Sequence, residues 1–281
     1  IRDTSVTGVQ TCALPIFDWI KVHVSGLPIR PGKEGGEIST WTLDELKLVC
    51  DTAHQFDIPV VGHCRNAIST RDAAIAGFDM ILHATYMDDE ALKAVVDRKV
   101  PLVPTFTFQA NLADFGAAIG SDENLREVFR AEITESVGTL RAAFDAGVPL
   151  ATGSESGFSL TPYGDWHYRE LQVFVEDLGM TPLQAINSAT EQGALALKLE
   201  GELGCIKPDY LADILIFDGE PETHITQLGD ADRFRHIIKD GQLIDTSTPL
   251  PKDWQLPGWR VSEYSERILT KELVQSMGLN H

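Results

Sequence analysis

Apolar runs of four to seven residues alternate with longer amphipathic stretches along most of the chain. The runs are rich in Val, Ile and Leu on both faces, as in parallel strands that are covered on both sides. Helix-length stretches separate one run from the next, and such crossovers indicate a parallel sheet. We therefore predict five buried strands, at residues 18–24, 58–63, 80–83, 101–106 and 148–152.

Helix signals fill the segments between these strands. Residues 42–45 have a capping-box pattern, and residues 88–90 place acidic groups where a helix dipole favours them. Thr181 precedes Pro182, which suits the first position of another helix. Further helices are predicted from near Ser69 or Thr70 to Gly77, over residues 121–146 and around residues 168–178.

The last part of the chain has a different pattern. Residues 203–208, 211–217 and 237–244 read as short strands. Asp240-Gly241 lies within the last of them and is a hairpin signal. We therefore predict a small β-structure after the alternating region.

Composition narrows the class of protein. The chain has 281 residues, 43% of them hydrophobic, which suits one large α/β domain with or without a small appendage. The net charge of -19 disfavours nucleic acid, because no basic stripe could displace counterions from phosphates. No apolar run approaches the roughly 20 residues that a membrane helix needs. The cysteines (Cys12, Cys50, Cys64 and Cys205) form no CxxC pair, which favours a reduced, cytoplasmic protein.

The first residues do not fit the pattern. Residues 6–16 resemble the in-frame translation of a sequencing adapter, of the kind that appears as a spurious N-terminus in metagenomic assemblies. Gln10 and Thr11 interrupt the apolar run and no basic segment precedes it, which disfavours a signal peptide. We expect residues 1–16 to be artefactual and the upstream part of the parent protein, including any signal peptide, to be missing.

Metal-capable side chains stand at the ends of the predicted strands. Lys21 lies in the first run, His63 and His83 end the second and third, and Glu155 follows the fifth. Parallel strands present their carboxyl ends at one face of a barrel, where metal sites are built. Each residue alone has an ordinary explanation, such as an ion pair, a backbone hydrogen bond or a helix N-terminus. In this order they predict a metal-dependent hydrolase.

Eight motifs carry a resemblance to a known family. They are Asp-Trp-Ile-Lys-Val-His-Val-Ser-Gly (18–26), Val-Gly-His (61–63), Ile-Leu-His-Ala-Thr-Tyr-Met-Asp-Asp-Glu-Ala-Leu (81–92), Leu-Val-Pro-Thr (102–105), Gly-Ser-Glu-Ser-Gly (153–157), Thr-Pro-Tyr-Gly (161–164), Gly-Met-Thr-Pro-Leu-Gln-Ala (179–185) and Leu-Ala-Asp-Ile-Leu-Ile (211–216). The set resembles the amidohydrolase superfamily, specifically its imidazolonepropionase-like and Xaa-Pro dipeptidase-like branch. It does not define a substrate.

The resemblance implies an α/β fold, a partial TIM (β/α)8 barrel that lacks its first βα units, with the C-terminal half of a small β-sandwich. About five strands are predicted where a closed barrel needs eight. An open five-stranded sheet is the alternative. The predicted regions are an artefactual N-terminus (1–16), the partial barrel (17–200), the sandwich strands (201–245) and a C-terminal tail (246–281).

The resemblance also implies the roles of three strand-end residues. Lys21 matches the carboxylated lysine that bridges two metals, and His63 and His83 match the ligands of the second metal. A lysine carbamate is anionic with two oxygens, whereas an unmodified ammonium is only a donor. The implied cofactor is a divalent metal, two zinc ions in the intact parent, together with carboxylated Lys21.

Glu155 departs from the family pattern. The family has Gly-Thr-Asp at this strand end, where the aspartate binds metal and activates water, whereas this chain has Gly153-Ser154-Glu155. A glutamate can coordinate a metal and act as a base, but its additional methylene changes its reach. We interpret Glu155 as a metal ligand and the catalytic base.

Four other side chains are expected near the same strand ends. Arg65, Tyr163 and His167 are candidate substrate-binding residues, and the fork of Arg65 suits a carboxylate. Such loop side chains are also often only solvated. His23 points inward if its strand alternates, and we interpret it as filling the barrel or supporting the site.

The predicted function is hydrolysis of a carbon–nitrogen bond, in an amide, peptide-like or cyclic amide small molecule, by metal-activated water. One alternative is a phosphate-binding barrel enzyme, in which the turn at residues 153–157 holds an anion at a helix N-terminus. Another is a non-catalytic protein that retains the fold alone. No nucleic acid or membrane partner is expected, and the sequence allows a homo-oligomer.

The 281-residue chain itself is expected to be inactive. The resemblance implies a His-x-His pair for the metal that Lys21 shares, and the sequence contains no His-x-His. Lys21 and Glu155 alone are fewer than the about three protein ligands of a catalytic zinc site. We expect fewer than two bound metals, no detectable hydrolysis and poor behaviour in solution.

Overall fold

The computed structural model describes residues 17–26, 37–247 and 266–279. The predicted artefactual N-terminus, residues 1–16, lies outside the described residues, as does most of the predicted C-terminal tail. The strands are β1 (Ile20–His23), β2 (Ser25–Gly26), β3 (Ile38–Ser39), β4 (Val60–Cys64), β5 (Met80–His83), β6 (Leu102–Val103), β7 (Ile214–Phe217), β8 (Phe234–Lys239) and β9 (Gln242–Leu243).

Helices follow most of the strands. The α-helices are α1 (Leu43–His54), α2 (Ala67–Ala76), α3 (Asp89–Arg98), α4 (Phe106–Phe115), α5 (Glu123–Asp145), α6 (His167–Glu176), α7 (Pro182–Ser188), α8 (Glu191–Ala196) and α9 (Lys271–Ser276). Short 3-10 helices occur at Gly116–Ile119, Ile225–Gly229 and Ala231–Arg233. None of the helices in the described ranges combines the length and the apolar character needed to cross a membrane.

The main sheet is parallel and has the strand order β1-β4-β5-β6. Leu102 of β6 forms a further parallel bridge with Leu150, so the fifth predicted strand contributes one bridge to the sheet. All five residues of β4 are buried, whereas Lys21 and His23 of the edge strand β1 are exposed. The α/β class with a parallel sheet is therefore confirmed. The premise that Lys21 is buried within an apolar strand is wrong for the described chain, because β1 has only one neighbour.

Two smaller sheets accompany the main one. Strands β2 and β3 pair in antiparallel fashion directly after β1. Strands β7, β8 and β9 form the predicted C-terminal antiparallel sheet. Asp240 and Gly241 both have positive φ angles, of 51° and 72°, as the hairpin turn between β8 and β9 requires.

Local sequence signals account for most helix ends. Thr42 and Glu45 form the predicted capping box of α1, and Asp88 caps α3. Gly77 ends α2 in the left-handed conformation, with φ 99°. Residues 203–208 were predicted as a strand, but they form turns and irregular structure instead.

Helix α4 was not predicted and begins inside the run assigned to the fourth strand. Its residues are buried on nearly every side, so the apolar periodicity of a surface helix is missing. Ala110 and Phe106 pack into the core between the sheet and its helices. Phe108 and Leu112 pack into a second apolar cluster with Leu269 of the C-terminal segment.

The N-terminus of α4 is capped by a glutamate from another helix. The preceding residue, Thr105, has φ 58° and makes no side-chain capping bond. Instead the Phe106 N–H donates to Glu170 Oε1 over 3.0 Å. The Thr107 N–H and hydroxyl donate to Glu170 Oε2 over 2.7 and 2.8 Å. Glu170 of α6 therefore satisfies backbone donors that have no partner within α4.

Glu170 makes the stability of the fold depend on pH. Burial raises the pKa of Glu170 from 4.5 to about 7, against the opposing effect of the Thr107 and Phe106 donors. The folded state holds this proton more tightly than the unfolded chain. Its contribution to the free energy of unfolding is therefore full below about pH 4.5 and is lost as the pH rises through about 7.

Replacing Glu170 by Gln should flatten this dependence. Between pH 5 and 8 we expect the free energy of unfolding of the parent chain to fall by about 2–3 kcal/mol relative to Glu170→Gln. Urea denaturation at several pH values measures the difference. Glu90→Gln, on an exposed ion pair with Arg71, is the matched control. Parallel curves for parent and Glu170→Gln would show that Glu170 stays ionised in the fold.

Candidate functional site

Two histidines meet at the carboxyl end of the central strands. His63 and His83 come from β4 and β5, and both are buried. His63 Nδ1 lies 3.0 Å from His83 Nε2, and the two rings meet edge to face with centroids 4.5 Å apart. In the parallel register His83 pairs with Cys64, the residue that follows His63. Both histidines therefore lie at the carboxyl edge of the sheet, offset by one residue. The structure therefore brings together two of the predicted metal ligands.

The outer nitrogen of each ring is occupied. His63 Nε2 lies 2.9 Å from Glu37 Oε2, and His83 Nδ1 lies 2.5 Å from Thr105 Oγ1. The Thr105 hydroxyl also lies 2.6 Å from the Pro104 carbonyl, so its single hydrogen has two acceptors in reach, that oxygen and His83 Nδ1. A carboxylate only accepts, so His63 Nε2 carries the hydrogen that is shared with Glu37.

The other two ring nitrogens, His63 Nδ1 and His83 Nε2, face each other. In a neutral imidazole one nitrogen is the donor and the other has a lone pair. Because His63 carries its hydrogen on Nε2, its Nδ1 lone pair faces His83 Nε2 across 3.0 Å and accepts the hydrogen of His83 Nε2 when His83 Nδ1 in turn accepts from the Thr105 hydroxyl. Burial, followed by the positive charge of Arg65, holds the pKa of His83 well below its usual value, so the ring is neutral and carries one N–H. A cation held by both nitrogens would require the Nδ1–H form of His83, with the Thr105 hydroxyl donating to the Pro104 carbonyl.

Glu155 stands beside this pair. Its Oε1 lies 3.8 Å from His83 Nε2, and its side chain is 26% exposed. Burial raises the pKa of Glu155, and the charges of Arg65, His63 and Lys21 act in the opposite direction. The residue has φ 50°, and its carbonyl accepts from the Thr161 hydroxyl over 2.8 Å.

The loop of Glu155 approaches the sheet closely. A Cβ on Gly153 would lie 2.6 Å from Val103 Cγ1 and 2.7 Å from Thr105 Cγ2, so only glycine fits there. No helix begins at this loop, since the next one, α6, begins at His167. The proposed anion site at a helix N-terminus, and the interpretation of Glu155 as a helix N-terminal acid, are therefore both wrong.

Lys21 and His23 share the inner side of β1. His23 pairs with His63 in the register, and their rings stack with centroids 4.6 Å apart. The Lys21 charge lowers the pKa of His83 and opposes the rise in the pKa of Glu155. Lys21 is exposed, because no strand pairs with the outer edge of β1 in the part of the chain that is described.

Arg65 is held inside the protein. Its Nε donates to Glu132 Oε1 over 3.1 Å, and its Nη2 donates to Glu132 Oε2. The guanidinium also stands 5.3 Å from the centre of the Phe129 ring, and its Nε lies 4.0 Å from Glu37 Oε1. The Arg65 guanidinium, which we predicted to bind substrate, therefore already donates to buried Glu132. A substrate carboxylate would have to share the guanidinium with Glu132.

Tyr163 and His167 lie farther along the same loop. The Tyr163 side chain is 65% exposed. Its hydroxyl oxygen lies 3.1 Å from the point that a Cβ atom would occupy if Gly157 had a side chain. Burial lowers the pKa of His167, as does the Lys271 charge, while Asp165 opposes them. Tyr163 therefore faces the turn that carries Glu155, whereas His167 faces the C-terminal segment.

The donor set fits a zinc ion at the histidine pair. Two ligand atoms of a tetrahedral zinc stand about 3.3 Å apart, because the bonds are about 2.0–2.1 Å long. The 3.0 Å between the imidazole nitrogens is close to this, and the 3.8 Å to Glu155 is about half an ångström too long. Within the described residues no three His, Cys, Asp or Glu side chains already have the spacing of a metal site.

Sequence reasoning missed the residues that hold the site together. Glu37 and Thr105 bind the outer nitrogens of the histidines, and Glu132 binds Arg65. Positive φ angles at His83, Thr105 and Glu155, of 69°, 58° and 50°, add local strain at the strand ends. Such strain is common at functional sites. Thr105 is the last residue of the Leu-Val-Pro-Thr motif (102–105), but no sequence pattern pointed to Glu37 or Glu132.

Known proteins similar to this chain share its fold. Ochratoxinase from Aspergillus niger is 26% identical over 227 residues, which cover 80% of this chain and 46% of that protein. A crystal structure of a Xaa-Pro dipeptidase, 28% identical, superposes with a TM-score of 0.69 over 84% of this chain and 57% of that one. An imidazolonepropionase from Rubrobacter xylanophilus is 36% identical over 67 residues, 24% of this chain and 16% of that protein.

The chain spans about half the length of these relatives: the match covers 46% of the ochratoxinase and 57% of the dipeptidase. The amidohydrolase family profile matches residues 34–244, well over half of the chain. That match includes both histidines, Glu155 and the residues that hold them. The resemblance read from the motifs is confirmed: the chain belongs to the amidohydrolase family.

Proposed function

We propose that this chain is the part of a metal-dependent amidohydrolase that holds one metal and the catalytic base, and that the intact enzyme cleaves carbon–nitrogen bonds in small molecules. The observation that carries the proposal is the pair of imidazole nitrogens of His63 and His83, 3.0 Å apart and beside a half-buried glutamate. The names of two similar proteins, ochratoxinase and Xaa-Pro dipeptidase, support the reaction class.

The ligands in this proposal are His63, His83, Glu155 and carboxylated Lys21. Two divalent ions, zinc in the first instance, would be bound in the intact parent. When bound, such ions lower the pKa of water and polarise the scissile carbonyl. The parallel sheet would then be the later part of a (β/α)8 barrel, and strands β7, β8 and β9 half of a small β-sandwich.

The side chains of this chain would move the protons and position the substrate. Glu155 would take a proton from the attacking water and return it to the leaving nitrogen. Arg65 would attract a substrate carboxylate, and Tyr163 and His167 would orient the substrate from the loop. We further propose a cytoplasmic enzyme with a small-molecule substrate and no nucleic acid or membrane partner. The sequence also allows a homo-oligomer.

Metal binding can be tested directly on the 281-residue chain. We expect at most one tightly bound zinc or cobalt ion per chain, no detectable hydrolysis, and loss of the ion in His63→Ala and in His83→Ala. Isothermal titration and elemental analysis measure this. His54→Ala, at an exposed histidine paired with Asp79, should keep the ion. Two bound ions together with cleavage of an acyl amino acid, or binding unaffected by both variants, would contradict the proposal.

Glu155 can be tested in a full-length protein that contains this sequence. Glu155→Gln removes the base while the shape is retained, so we expect turnover to fall about 100-fold or more, with little change in KM. Glu155→Asp keeps a carboxylate and should retain more activity than Glu155→Gln. Steady-state kinetics of the parent and both variants measure turnover and KM. Equal turnover in the Gln variant and the parent would assign the base to another residue, with His167 as the first candidate.

The Arg65–Glu132 pair predicts a large effect on stability. Arg65→Met leaves a buried carboxylate unpaired, and we expect the free energy of unfolding to fall by about 3–5 kcal/mol. Arg65→Met combined with Glu132→Leu removes both charges and should recover most of the loss. Urea denaturation measures all three proteins. If the single variant were as stable as the parent, Arg65 would not be part of the folded framework.

A further inference from the structure

Glu37 is a buried carboxylate that none of the sequence motifs includes. Its residue is 4% exposed, and it lies just before β3. Oε2 accepts from the Ser25 hydroxyl over 2.7 Å and from His63 Nε2 over 2.9 Å. Burying an ionised carboxylate costs several kcal/mol. A role that needs the negative charge or its acceptor-only chemistry would explain its presence.

The backbone of Glu37 is tied to the segment that follows the His63 strand. The Glu37 N–H donates to the Arg65 carbonyl over 3.2 Å. The Asn66 amide donates to the Glu37 carbonyl, and the same Asn66 caps α2. Ser25 accepts from the Arg65 N–H over 3.0 Å. The carboxylate is therefore held in one position relative to the ring of His63.

The chemistry of this contact selects one tautomer. A carboxylate has no hydrogen to give, so the nitrogen that faces it must be the protonated one. His63 then carries its hydrogen on Nε2, and its lone pair on Nδ1 points at His83. A neutral amide in place of Glu37 could present either oxygen or NH2 and would not enforce this choice.

We propose that Glu37 is a positioning residue that holds His63 in the Nε2–H tautomer and so makes Nδ1 the metal-binding nitrogen. The tautomer assignment stands on the contacts alone, while its consequence for metal rests on the proposed function. Carboxylates that orient a ligand histidine in this way change metal affinity by about 10- to 100-fold when they are removed.

The tautomer can be read in the metal-free 281-residue chain by 15N NMR of histidine-labelled protein. The His63 signals are assigned by their loss in His63→Ala. We expect a protonated Nε2 and an unprotonated Nδ1. Glu37→Leu should yield a mixture of tautomers or the opposite one, and Glu37→Gln a mixture still rich in Nε2–H. Glu90→Gln is the control and should leave the spectrum of His63 unchanged.

Zinc titrations of the same proteins test the consequence. We expect the affinity to fall about 10- to 100-fold in Glu37→Leu, with a smaller loss in Glu37→Gln. A purely structural role would lower the free energy of unfolding without altering the tautomer. If Glu37→Leu does not fold, the parent and Glu37→Gln carry the test.

The outcomes separate the two proposals. An Nδ1–H tautomer in the parent, or an unchanged tautomer and affinity in the folded Glu37 variants, would overturn the role of Glu37. An Nε2–H tautomer that responds to Glu37, in a parent that binds no zinc, would support the positioning role and reject the metal site.

Discussion

The parallel pairing of β1, β4 and β5 is the constraint on which the candidate site depends. His23 pairs with His63, and His83 pairs with the residue after His63, so three imidazoles from three strands stand at one edge of the sheet. Side chains alternate along a strand, so a shift of one residue in the pairing of β1 with β4 would send His23 to the face opposite His63. His83 pairs with Cys64, and its φ of 69° departs from strand geometry where its ring comes within 3.0 Å of His63.

A second layer of polar side chains holds the histidines from outside the strands. Glu37 comes from the segment before β3, and Thr105 from the turn into α4. Thr105 cannot cap α4 while it holds His83, and Glu170 supplies that cap from α6. The capping of one helix by another is thus linked, through a single threonine, to the orientation of a histidine.

The strands and their terminal histidines could be predicted from the sequence, because apolar runs of defined length and their last residues are local features. Capping residues such as Thr42 and Asp88 are local for the same reason. Helix α4 could not be predicted, since burial on all sides removes its periodicity. Glu37 and Glu132 could not be found either, because their partners His63 and Arg65 lie 26 and 67 positions away, and no local pattern records such pairs.

The segment of residues 266–279 has a consequence for how the protein is handled at the bench. The Leu269 N–H donates to the Ser159 carbonyl over 2.7 Å, and the Leu269 carbonyl accepts from the Trp166 indole over 2.9 Å. Both partners belong to the loop that carries Glu155. A purification tag or a deletion at the C-terminus therefore acts on the loop of the catalytic base, although more than a hundred positions separate Leu269 from Glu155. Tags that are meant to be neutral belong elsewhere on this chain.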